Sequence, residues 1–205
     1  MSEKIISIIN QKGGVGKTTT VINLAAGLSL QGKKVLVIDL DPQGNATTGL
    51  GLSNLENSER SIYNVLNGKK KISEVIVKTK FENLDLITSN VDLSGLEVET
   101  AGDSRRAFIL KEQIMAYLND SRGLYSHILI DCPPSLSLLT IMALVGSDSL
   151  LVPLQAEFFA LEGLTQLMKT IERIKNNLNT ELSIRGILLT MYDKRNKLSG
   201  EVEKE

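Results

Sequence analysis

The sequence predicts an α/β protein built on a mostly parallel, twisted sheet with helices on both faces. Three observations carry that expectation. Apolar runs of strand length recur along the chain, segments of helical periodicity lie between most of them, and the runs are apolar throughout, as in strands buried on both faces. Strands are expected at 4–9, 34–38, 84–88, 127–130, 149–152 and 184–189, and helices at 17–30, 104–119, 135–145 and 162–178.

Each element has its own signal. Ile5, Ile6, Ile8 and Ile9 write the first strand, and Val21, Leu24, Ala25 and Leu28 recur at helical spacing after it. Val35-Leu36-Val37-Ile38 forms the next strand; Pro42 stops it and Gly44 permits the turn. The stretch 45–81 is the least regular, rich in Gly, Asn, Ser and Lys, with short helical turns expected near 61–66 and 72–77. Within it, Lys69-Lys70-Lys71 reads as a solvated turn, with a nucleic-acid contact as the other reading. The apolar run 127–130 ends at Pro133-Pro134-Ser135, which stops a strand and starts a helix, Ser135 being placed to cap it. Residues 201–205 read as the start of a charged helix rather than a finished domain edge.

At 205 residues the chain suits one α/β domain, 1–205, with one substantial core. A net charge of −1 gives no global pull toward nucleic acid or anionic lipid, though it leaves room for a local basic patch. The single cysteine, Cys132, rules out an internal disulfide and fits a reducing cytosol. The N-terminus has no secretory leader, and the longest strongly apolar stretch, 136–145, is about half of the ~20 residues a membrane-spanning helix needs. A cytoplasmic protein with no membrane partner is expected.

Three segments carry chemistry. Lys12-Gly13-Gly14-Val15-Gly16-Lys17-Thr18-Thr19 lies between a strand and a helix, where a phosphate-binding loop must lie. Its glycines let backbone N–H groups close around phosphates, Lys17 would reach the β/γ-phosphates, and the Thr18 hydroxyl would bind Mg²⁺. Asp39 and Asp41 end an apolar strand two residues apart, so both face the mouth of the site, as carboxylates serving phosphoryl transfer must. Asp131 ends another buried strand and would hold Mg²⁺ across from Thr18. All three fall at carboxyl ends of strands, where such sheets bind ligands. Cys132 and His127 are read as structural, with no neighbours to make a metal or iron–sulfur site.

The loop departs from the common pattern: Gln11 stands where a glycine is usual, and a second lysine, Lys12, heads it. In this it resembles the deviant Walker A ATPases, a P-loop NTPase family in which that lysine reaches the nucleotide of a partner subunit; a solvated lysine beside an anion site is the other reading. The stretch Asp39-Leu40-Asp41-Pro42-Gln43-Gly44-Asn45 resembles the ParA/Soj partition ATPases, and Asp131-Cys132-Pro133-Pro134-Ser135 is similar to a segment recurring there. Pro153-Leu154-Gln155-Ala156-Glu157-Phe158-Phe159-Ala160-Leu161-Glu162-Gly163-Leu164 looks like the switch segment of the small Soj-type members, and Leu188-Leu189-Thr190-Met191-Tyr192-Asp193-Lys194-Arg195 like their strand-to-helix corner.

The resemblance implies an ATPase and a set of roles. Lys12, Lys17 and Asp41 would be catalytic, Asp41 setting the attacking water. Gly13, Gly14, Val15, Gly16, Lys17, Thr18 and Thr19 would bind ATP, and Thr18, Asp39 and Asp131 would serve Mg²⁺, Asp39 also supporting the loop. It implies an ATP-sandwich homodimer, slow hydrolysis stimulated by a ParB-type partner, binding of nonspecific DNA and a place on the nucleoid. Family members continue for several dozen residues beyond 205, carrying the last strand, helices and much of the DNA-holding surface. Arg195 would be a surviving DNA contact, an exposed loop arginine being the other reading. Two alternatives remain: a MinD-like membrane-positioning ATPase, which needs a C-terminal amphipathic helix, and an inactive truncated nucleotide-binding fragment. The resemblance extends to chromosomal and plasmid partition alike.

Overall fold

The computed structural model describes residues 4–52, 58–120, 124–157, 160–195, 199–200 and 202. It opens with β1 (Lys4–Ile8), a glycine-rich loop, α1 (Lys17–Leu30) and β2 (Val35–Asp39). Short elements follow: α2 (Asn45–Gly49), α3 (Ile62–Leu66), α4 (Ile72–Val75) and β3 (Val77–Lys78). The chain continues through β4 (Leu84–Ile87), α5 (Leu96–Glu99), α6 (Ile109–Asp120), β5 (His127–Asp131), α7 (Leu138–Gly146), β6 (Ser149–Gln155), α8 (Ala160–Asn177) and β7 (Ser183–Thr190).

The seven strands form one sheet in the order β3-β4-β2-β5-β1-β6-β7. All neighbours are parallel except β3, which runs antiparallel to β4. β5 enters between β1 and β2, bringing Ile8, Asp131 and Asp39 into one row at the carboxyl ends.

Alternation along the strands builds a core on each face. Leu36, Ile38, Ile128 and Ile130 point to one side and pack with Leu110, Ile114, Met142 and Ala143 of α6 and α7. Val35, Val37 and Leu129 point to the other and pack with Val21 and Ala25 of α1. Around β6, Leu150 and Val152 meet Leu167, Ile171 and Ile174 of α8. β7 is the outermost strand, and its Ile187 and Leu188 are 48% and 41% exposed. Among the described residues, no helix is long and apolar enough to cross a membrane.

Several boundaries differ from expectation. The turn expected over 72–77 ends at Val75, and Val77–Lys78 pairs as β3 with Leu86 and Asp85. The helix expected from 104 begins as a single tight turn at Arg106–Phe108 and becomes α-helical only at Ile109. Ser137, not Ser135, precedes the first turn of α7, because the two prolines hold the chain extended beyond the strand. The Ser135 carbonyl instead accepts the Thr140 hydroxyl. β6 continues through Pro153 to Gln155, where β1 has already ended. Of the helix expected over 201–205, Val202 is helical, as are 199 and 200 before it, while Glu201, Glu203, Lys204 and Glu205 lie outside the described residues.

Asn179 ties α7 to the turn before β7. Its buried amide donates to the carbonyls of Leu144, Val145 and Ser147 at 3.0, 3.2 and 2.8 Å. Asn179→Ala is expected to lower the unfolding free energy by about 1–3 kcal/mol, the cost of leaving buried carbonyls unpaired. Urea titration checks it: the midpoint should fall with the slope unchanged.

Candidate nucleotide site

The glycine-rich loop is shaped by its own backbone. Gly14 and Gly16 sit at φ +76° and +91°, conformations that side chains resist, so glycine is required at both. Gly16 precedes α1 with no side chain capping it, which leaves the first N–H groups of a 14-residue helix free for an anion. Two flanking strands fix the loop. Asn10 donates to the Pro153 carbonyl at 2.7 Å and accepts the Lys12 N–H at 3.0 Å, while the Thr190 hydroxyl donates to the Val15 carbonyl at 2.8 Å.

Lys17 is buried on the first turn of α1 and donates to the Lys12 carbonyl at 2.9 Å. Burial holds its ammonium below the ordinary lysine pKa, against the opposing pull of Asp131 and Asp41. Lys12 is half exposed and pairs with Glu157 of its own chain. Gly13, Gly14 and Thr19 are exposed, Val15 is buried, and Thr18 is half-buried.

Asp39 is fully buried and its carboxylate is spent on its own loop. One oxygen accepts the Thr47 N–H and hydroxyl, both at 2.7 Å, and the other accepts the Asp41 N–H at 3.2 Å. Burial pushes its pKa up to about 6 against these hydrogen bonds. Thr47 Oγ1 also accepts the Ser89 N–H, and the Ser89 hydroxyl donates to the Asp41 carbonyl, so β4 braces the loop. Asp41 lies at the mouth, its Oδ1 accepting the Gln43 N–H at 3.0 Å.

Asp131 differs from Asp39. Both its oxygens are buried and neither accepts a hydrogen bond of ordinary geometry, although Thr18 lies near enough to favour the charged form. Burial, then the neighbouring Asp39 charge, pushes its pKa up to about 7. A buried carboxylate lacking hydrogen bonds, facing a hydroxyl and a lysine, is the donor set a hard cation such as Mg²⁺ takes. The residues therefore fit Mg²⁺, with Thr18 and Asp131 as its protein side.

The fold thus gathers Lys12, Lys17, Thr18, Asp39, Asp41 and Asp131 at one end of the sheet. Arg195 stands on the loop after β7, where Asp193 engages its guanidinium at 2.8 Å. Phe158 and Phe159 of the expected switch segment lie outside the described residues. Cys132 is buried, and burial pushes its thiol up. His127 is held below its ordinary pKa by burial and by Lys4, Arg185 and Lys33. No spacing in the sequence points to Asn10, Thr47 or Ser89, whose partners Pro153, Ser89 and Asp41 lie far along the chain. Thr190 and Glu157 fall within family-like segments, but no sequence signal pairs them with Val15 and Lys12.

A family model described as an AAA domain matches residues 3–184. The chromosome partitioning protein ParA of Caulobacter vibrioides is 50% identical over 202 residues, 98% of this chain and 74% of that protein. The sporulation initiation inhibitor protein Soj of Bacillus subtilis is 48% identical, covering 98% and 78%. Among solved structures, cobyrinic acid a,c-diamide synthase from Mycobacterium smegmatis with bound ADP and magnesium superposes with a TM-score of 0.90 at 37% identity, covering 98% and 80%.

Asp39 and Asp131 make stability depend on pH. An acid whose pKa is raised by folding binds its proton more tightly folded than unfolded, so stability falls as pH rises from about 4 to about 7. The nucleotide-free chain is expected to lose on the order of 5 kcal/mol across that window. Asp131→Asn should remove much of the fall and raise the melting temperature at pH 8 by about 3 °C or more, read by thermal unfolding at pH 5 and 8.

Proposed function

The chain belongs to the ParA/Soj family of chromosome-partitioning ATPases, and from that membership we propose that it acts as one ATPase domain, a DNA-partition switch driven by ATP–Mg²⁺. One observation carries the site reading: the bare, buried Asp131 carboxylate lies beside Thr18 and Lys17 under a loop of free backbone N–H groups. Bound ADP and magnesium in the mycobacterial structure support the same ligands here. That protein is named for a different reaction, and at 37% identity it supports the fold and nucleotide site rather than the partition role.

The proposed mechanism is electrostatic positioning. The loop N–H groups, from Gly13 to Thr19, and the Lys17 ammonium hold the phosphates. Thr18 and Asp131 would hold Mg²⁺, which when bound would neutralise phosphate charge. Asp39, occupied by Thr47, keeps the β2–α2 loop in place, so Asp41 is set at the mouth to orient the attacking water. Lys12 leaves Glu157 and crosses to the nucleotide of a second copy, making an ATP-dependent homodimer. A ParB-type partner stimulates an otherwise slow hydrolysis, nonspecific DNA is held in the ATP state with Arg195 contributing, and the protein works in the cytoplasm on the nucleoid.

Sedimentation with ATP–Mg²⁺ tests this reading. The chain should sediment as a dimer with ATP and a monomer without it, and Lys12→Ala should stay monomeric in both; a Lys12→Ala dimer sinks the crossing role. Asp41→Ala should keep ATP binding, seen as an ATP-induced rise in melting temperature, while turnover falls by roughly 10²-fold or more. Normal turnover in that variant removes Asp41 from the chemistry.

A further inference from the structure

The end of the sheet opposite the nucleotide carries its own charge pattern. Lys80 stands in the loop before β4, Lys33 and Lys34 before β2, Lys4 at the start of β1, and Arg185 near the start of β7. Lys4, Lys33, Lys80 and Arg185 are exposed, and none of the five forms an ion pair among the described residues. Lys34 stands over the Tyr125 ring, its ammonium 5.5 Å from the centroid.

Acids at this end are partly committed elsewhere. Asp85 is taken by Lys78 at 2.8 Å and by the Tyr125 hydroxyl at 2.6 Å, and Asp148 accepts the Ile5 N–H at 2.8 Å. Glu82, Asp120 and Glu181 are exposed. Lys4 pairs with His127 at the start of β5, and Val35, next to Lys34, pairs with His127 on its other side, so the cations of β1 and β2 flank one strand end.

Sheet geometry sets their arrangement. The strands from β4 to β7 are six neighbours, so the cations at their amino ends form a row rather than a cup. Five steps of ~4.8 Å make that row about 24 Å long, with no cation at the β5 and β6 ends, the length of roughly seven base-pair steps of a duplex, along which phosphates of both strands come to face it. A row of separated point charges suits a linear polyanion, which can engage all of them at once; a single phosphate would reach only the lysines that line one recess, Lys34, Lys78 and Lys80.

We propose that the amino-terminal end of the sheet, through Lys4, Lys33, Lys34, Lys80 and Arg185, is a second contact surface for the backbone of double-stranded DNA, on the far side of the sheet from the nucleotide. It rests on the reading that the protein holds nonspecific DNA. Its contacts go to phosphates alone, so binding there is independent of sequence and falls steeply with salt.

The test is fluorescence anisotropy of a labelled duplex with the full chain and ATP–Mg²⁺, from about 50 to 200 mM salt. K33E/K34E/R185E is expected to bind at least about tenfold more weakly, with a log–log salt slope shallower by about three. K33R/K34R should bind as the unaltered chain does. Both should keep the ATP-induced rise in melting temperature, which separates lost contacts from lost folding. Unchanged affinity and slope in K33E/K34E/R185E overturn this surface while leaving DNA binding to stand elsewhere. An unaltered chain that forms the ATP dimer yet binds no duplex overturns the DNA reading itself, and this inference with it.

Discussion

The site depends on one topological constraint: β5 lies between β1 and β2. That insertion puts the buried carboxyls of Asp39 and Asp131 at paired positions at the end of the sheet, with the Lys17 ammonium near Asp131. Two acids and one amine in a dry setting do not balance. Asp39 is accommodated by three hydrogen bonds from its own loop, and the imbalance settles on Asp131. A carboxylate in that position destabilises the empty protein and stabilises the protein that has gained a cation, so the same charge that weakens the apo fold draws in the metal-bound nucleotide. Binding energy and folding energy are linked at one residue.

The surrounding structure holds the loop without closing it. Asn10, reaching across to β6, and Thr190, at the end of β7, fasten the backbone on either side of the glycines. Both bonds engage the backbone of the loop and leave its outward N–H groups free. The Lys12–Glu157 pair works differently, since it is half exposed and joins the loop to the segment between β6 and α8. An exposed pair of this kind contributes at most about 1 kcal/mol, so a phosphate that competes for the lysine can displace it. The loop is thus rigid where glycine geometry is needed and easily released where a side chain must move.

Much of this was legible in the sequence because local pattern and global fold agree. The phosphate loop reads from its glycines and lysines between a strand and a helix, and Asp39, Asp41 and Asp131 read from runs of apolar residues that stop at a carboxylate. Of the short elements, α3 and α4 fall where turns are expected, and the others were not legible. α2, α5 and β3 are too brief for a periodic signal, and β3 exists only because β4 offers it a partner edge. Nor does any spacing announce Thr47, whose hydroxyl serves both Asp39 and Ser89, 42 residues onward. Asp39 and Asp131 look alike in sequence, each closing a buried strand; only the third dimension shows that one is saturated with donors and the other bare.

The two ends of the sheet also differ in what their charges answer to. Helices α1, α6 and α8 finish at the amino ends of the strands, where their negative dipole ends favour cations. That accounts for Lys33 and Lys34, which follow α1, but the dipole field fades within a turn of the helix end. Lys4 opens a strand, Lys80 sits in the tight loop between β3 and β4, and Arg185 lies inside β7, so local helix electrostatics do not call for these three. The same end also carries the exposed acids Glu82, Asp120 and Glu181, so it holds no large net charge. What sets it apart is that Lys4, Lys33, Lys80 and Arg185 form no ion pair among the described residues, which leaves each of them free to turn to the phosphates of a duplex.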